Sequence, residues 1–133
     1  MGGTGITTVG TPASNQIVFN ATGGGITWVR DATGTVAMAV NTGYINGNAG
    51  LTTLTLPATA AVGDIQEVCG EGAGGWTIAQ NAGQQIQFGN LATTAGVGGS
   101  ISSTNRYDTI KLVCRVANTT WSVLSNVGVL NVV

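Results

Sequence analysis

The chain has 133 residues and a mass of 13.2 kDa, enough for one domain that buries roughly two thirds of its unfolded surface. Only 7% of its residues are charged, against about a quarter in ordinary soluble domains, while 43% are hydrophobic and glycine fills 22 positions. A net charge of −1 with four Lys plus Arg gives phosphates no footprint, the lack of histidine removes Ser–His–Asp, Cys–His and the common zinc chemistries, and no apolar stretch reaches the length of a membrane-spanning helix, so neither nucleic acid nor membrane insertion is expected.

Residues 1–15 read as a glycine- and threonine-rich arm, and Gly2-Gly3-Thr4-Gly5 as a hinge from which a longer protein continues upstream. Short β-prone runs follow at 17–20, 26–30, 35–40, 52–56, 65–69, 76–80 and 84–88, each bounded by Gly, Asn or Pro. Three longer runs close the chain at 107–117, 119–125 and 127–133. Helical periodicity is absent, because Gly, Thr, Asn and β-branched residues interrupt every window of three turns. Turn signals recur about every ten residues, the spacing of an antiparallel sheet protein. The expectation is an all-β fold, an antiparallel β-sandwich or barrel of jelly-roll type with an extended N-terminal arm. Residues 16–133 form its single domain, with a weak boundary near 46–50. No repeat period is strong enough for a solenoid, although Gly23-Gly24-Gly25-Ile26-Thr27-Trp28 and Gly74-Gly75-Trp76-Thr77-Ile78 share a strand entry in which glycine precedes tryptophan.

Period-two alternation assigns the faces. Leu54 and Leu56 point inward from one run, Ile86 and Phe88 from another, and Ile110, Leu112, Cys114 and Val116 from a third, with Trp76, Ile78, Trp121 and Val123 completing a core. Cys69 and Cys114 are either free buried thiols or a disulfide, which would stabilise by about 4 kcal/mol on the chain-entropy model.

The run Gly70-Glu71-Gly72-Ala73-Gly74-Gly75 lacks the following helix that a phosphate-cradling loop requires, so it reads as a hairpin turn. Asp64, Glu67 and Glu71 are close in sequence, but read as solvated turn charges and not as a glycosidase pair. Arg106, Asp108, Lys111 and Arg115 form a second cluster, opposite in sign, and the two clusters either pair across strands or between subunits or stand exposed to solvent. No catalytic residue, metal site or cofactor is expected. Among the aromatics, Trp28 and Tyr44 are the candidates for a glycan-stacking platform, because they lie in the less regular half of the chain. The uncharged, β-prone C-terminus is an aggregation hazard unless paired, which makes Val127, Val129, Leu130, Val132 and Val133 the candidate interface of a homo-oligomer, most simply a trimer.

The segments LTLPATAAVGD, GAGGWTIAQNAGQQIQFGN and RYDTIKLVCRVANTTWSVLSNVG resemble C-terminal modules of phage tail-fibre proteins and related viral or bacterial fibrous surface proteins. The resemblance covers about three fifths of the chain and transfers no catalytic residue; Cys69 and Cys114 depart from it. It implies an all-β, trimeric fibre tip with a structural or receptor-binding role, and so a non-enzymatic module that trimerises or caps, on a virion or on an extracellular or cell surface. Two other functions remain in view, a glycan-binding adhesin and a filament subunit that polymerises by donating a strand.

Overall fold

The computed structural model describes residues 25–133, and the arm over 1–15 and the expected strand over 17–20 lie outside them. The described chain is all-β, two mixed sheets packed face to face as a sandwich. The strands are β1 (Thr27–Asp31), β2 (Thr35–Ala37), β3 (Thr42–Asn46), β4 (Thr52–Thr55), β5 (Ile65–Gly70), β6 (Trp76–Ala79), β7 (Gln85–Phe88), β8 (Leu91–Ala92), β9 (Ser100–Ser103), β10 (Thr109–Val116), β11 (Thr120–Val127) and β12 (Leu130–Val132). The larger sheet has the order β1-β3-β5-β10-β11-β7-β8, and the smaller one β12-β9-β6-β4-β2.

The first six strands alternate strictly between the two sheets, so β1, β3 and β5 run parallel in the larger sheet and β2, β4 and β6 run parallel in the smaller one. Each pair of strands is one rung of a short stack, and the chain climbs it by crossing from sheet to sheet. The expected all-β sandwich is present, with parallel neighbours beside the antiparallel ones that were expected. Parallel neighbours need a long crossover, and here a strand of the opposite sheet supplies it where an α/β protein would use a helix. Antiparallel strands then close the stack, β10 against β5 and β9 against β6.

The rungs differ in length, which explains why the sequence shows no period. Thr27 lies beside Thr42, fifteen residues on, but Thr42 lies beside Gln66, twenty-four residues on. In the smaller sheet the partner of Thr35 is Thr53, eighteen residues on, and that of Thr52 is Trp76, twenty-four on. Trp28 and Trp76, alike in their preceding glycines, therefore fall on different sheets.

Register lines up the core. Val36, Leu54, Ile78, Ile101 and Val132 are successive partners across all five strands of the smaller sheet. They meet Tyr44, Val68, Ile110, Leu112, Ile86 and Trp121 of the larger sheet. The expected inward set holds, including Cys114, except that Val116 at the strand end is exposed. Buried polar side chains tie the crossovers to the sheets. Asn46 donates from Nδ2 to the Gly75 carbonyl at 2.8 Å and accepts from the Thr52 hydroxyl at 2.8 Å. Gln80 Nε2 is surrounded by the carbonyls of Gln84, Thr94 and Gly96 at 2.8, 2.9 and 2.8 Å. Each of these buried groups therefore keeps the partners whose loss would cost a desolvation penalty.

At the C-terminus the single expected strand over 127–133 is broken. Gly128 has φ of 90°, and its Cα lies against the Asp108 carboxylate where a side chain would collide. There the chain passes from β11 in the larger sheet to β12 at the edge of the smaller one. Leu130 and Val132 are consequently used by the protomer's own core, while Val127, Val129 and Val133 remain exposed.

Candidate functional site

The outer face of the larger sheet joins an exposed aromatic, charge and a concavity. Pleating turns Trp28 and Arg30 of β1, Gly43 and Ile45 of β3, Glu67 and Cys69 of β5, Thr109 and Lys111 of β10, and Ser125 and Val127 of β11 toward the outside. Register then sets Trp28, Gly43, Glu67, Lys111 and Ser125 in one row across five strands. Arg30, Ile45, Cys69, Thr109 and Val127 form the neighbouring row.

Gly43 gives the row its shape. With no side chain on β3, the Trp28 indole folds down over the gap: a Cβ built on Gly43 would lie 2.6 Å from Cε3 and 2.7 Å from both Cδ2 and Cζ3 of that ring. Near-equal distances to three consecutive ring carbons mean that the glycine faces the plane of the ring and not its edge. One indole face thus rests on the sheet, and Trp28 remains 48% exposed. Beside it the sheet surface sinks into a groove of about 310 Å³ lined by Trp28, Glu67, Cys69, Thr109, Lys111 and Val127, among others.

Glu67 and Lys111 meet in this groove at 3.4 Å, as direct partners across the β5–β10 ladder. The expected pairing of the two charge clusters is therefore present, and it runs further: Arg30 pairs with Glu71 at 3.1 Å, and Arg106 Nε donates to the Glu71 carbonyl at 2.7 Å. Asp64 accepts from Asn41 Nδ2 and from the Ala61 amide at 2.9 and 2.8 Å. Asp108 is buried and accepts from the amides of Thr104 and Asn105 at 2.8 and 2.9 Å. Each carboxylate of the expected trio is thus held by its own partner, and no two converge on a shared cleft. Among the described residues no group of three His, Cys, Asp or Glu side chains could hold a metal ion.

The structure separates the two aromatic candidates. Trp28 lines the groove, but Tyr44 is only 5% exposed, turned to the opposite face of the sheet, and accepts through its hydroxyl from the Ala39 amide at 2.7 Å. It is a core residue because Tyr44 follows Gly43, and neighbours along a strand face opposite ways.

The two cysteines are likewise separated, and both are free. Cys69 is paired with Thr109, five residues along β10 from Cys114, and five residues of strand span about 17 Å. Cys69 also faces outward and Cys114 inward, so no disulfide geometry is available. Burial pushes the Cys114 thiol above its ordinary pKa, opposed by a hydrogen bond from the Asn118 backbone and assisted by the Asp64 carboxylate.

Sequence reasoning found Trp28, Glu67 and Lys111 separately but missed Gly43, whose contribution is the absence of a side chain. No family model matches the chain, and no curated protein matches it.

Proposed function

We propose that this chain is a non-enzymatic structural module of a fibre, a tip that caps a stack of β-rungs and associates with copies of itself, most simply as a trimer. The observation that carries this reading is the difference between the two ends of the sandwich. At one end of the described residues β1 and β2 are the edges of two parallel ladders, one in each sheet, and four of the five residues of β1 are exposed. Such an edge accepts a further rung in the same direction. At the other end the edges are β8 and β12, of two and three residues, and the Val133 backbone bonds to Ser100 and Thr94. Short, tied edges resist further pairing. Over the described residues the stack is open at one end and closed at the other, which is the form of a cap.

The surface supports association between copies. Val127, Val129 and Val133 stand exposed, as do Leu124 and Tyr107, on a chain with few charges to keep it apart from its neighbours. The setting this reading implies is a virion or a cell surface. Native mass measurement tests it: a trimer is expected, converted to monomer by Val129→Ser with Val133→Ser. A monodisperse monomer at tens of micromolar overturns the self-association.

A further inference from the structure

We propose that the groove on the outer face of the larger sheet is a saccharide site, which takes one uncharged hexopyranose ring stacked on the free face of Trp28. Of the three tryptophans, Trp76 and Trp121 are wholly buried and only Trp28 meets solvent. Its lower face is satisfied by Gly43 and its ring is held parallel to the sheet, so the other face is presented flat and pre-positioned. A flat aromatic face selects a ligand with a flat apolar face of its own, and the axial C–H groups of a pyranose provide one.

The polar lining selects the ligand's edge. Glu67 and Lys111, one and two strands beyond the glycine on which the indole lies, place an acceptor and a donor 3.4 Å apart. Adjacent hydroxyls of a sugar each donate and accept, and an acceptor–donor pair matches two of them at once. The two charges cancel, so an anion meets Glu67 and a cation meets Lys111; a neutral ligand suffers neither repulsion. The Thr109 and Ser125 hydroxyls stand on the same outer rows; Thr109 Oγ1 donates to the Tyr107 carbonyl at 3.2 Å and so offers an acceptor, and Ser125 offers both a donor and an acceptor to further ring substituents. A volume of about 310 Å³ lies at the small end of ligand sites, which suits one ring and not an extended chain.

The test uses the methyl glycosides of glucose, galactose, mannose and N-acetylglucosamine as probes, with acrylamide quenching of tryptophan emission and saturation-transfer NMR as readouts. At least one glycoside is expected to bind in the millimolar range, shield Trp28 from quencher and receive saturation most strongly at its axial ring protons. Trp28→Ala is expected to weaken that binding by about tenfold or more, and Glu67→Gln to weaken it while leaving the thermal midpoint near that of the parent. Trp28 is half exposed, so loss of folding is not the expected result of its replacement, and circular dichroism checks it. Gly43→Ala is a second probe, which keeps the indole but lifts it from its seat. The proposal is overturned if none of the four glycosides protects Trp28, or if a folded Trp28→Ala protein binds as tightly as the parent.

Discussion

The indole of Trp28 lies face-down on Gly43, and no side chain stands between the ring and the β3 backbone. A methyl group at Gly43 would come within 2.6 Å of the ring, so Gly43→Ala must tilt or expel the indole. Tyr44 next to it keeps its place in the core, and the overall cost is expected to be about 1 kcal/mol. Emission should shift to the red and acrylamide should quench more strongly. Unchanged emission and quenching would show that the ring does not rest on the glycine.

Neighbouring rungs approach each other more closely still in the crossovers. A Cβ on Gly74 would collide with the backbone of Gly50, and one on Gly72 with the backbone of Asn48. Backbone cannot rotate aside as a side chain can, so Gly74→Ala is expected to cost about 3 kcal/mol in urea unfolding. Gly34→Ala serves as the control, since a methyl there meets only ordinary contacts at 3.8 Å or more. Equal midpoints for the two variants would contradict the close stacking of the rungs.

Two buried tryptophans differ in one hydrogen bond. Trp76 Nε1 donates to the Asp108 carbonyl at 2.9 Å, whereas Trp121 Nε1 is buried without a partner. Replacement by Phe removes similar volume at both sites but breaks a satisfied bond only at Trp76. Trp76→Phe is therefore expected to be less stable than Trp121→Phe by about 1 kcal/mol. The prediction fails if Trp121→Phe proves the more damaging of the two.

The thiols provide a test of face assignment. A thiol reagent added to the native protein should label Cys69 in the groove and leave buried Cys114 untouched until unfolding. Because folding raises the Cys114 pKa, the folded state holds that proton more tightly than the unfolded chain does. The associated stability is complete below the ordinary thiol pKa and declines as the pH rises through and beyond it. Unfolding measured on the alkaline side should therefore show a falling slope that Cys114→Ala flattens. Labelling of both thiols in the native state, or an identical slope in the variant, would count against this assignment.

Alternation made most of the core legible: Leu54, Ile78, Ile110, Leu112 and Trp121 all face the direction their spacing indicates. The strand β3 was not legible, because Thr42, Gly43 and Asn46 have the composition of a loop. Its inward polar residues are supported by partners distant in sequence, as Asn46 is by Gly75. The strand β9 was hidden for a similar reason, with Ile101 the one apolar residue among three serines. Parallel pairing was concealed by the unequal rungs. The groove could not be read from sequence, since its row joins Trp28, Glu67 and Lys111 only after three separate strand registers are set.

Unequal rungs also bear on kinship. The segment over 57–63 belongs to no strand and is tied down at Pro57 to Gln84, at Ala60 to Asn118 and at Gly63 to Cys114, so a chain could gain or lose residues between those ties and keep every paired position. Descendants of one ancestor would then drift apart in spacing while their ladders stayed matched. Relatives of this protein are best sought by superposing ladders, strand upon strand, and not by counting along the chain.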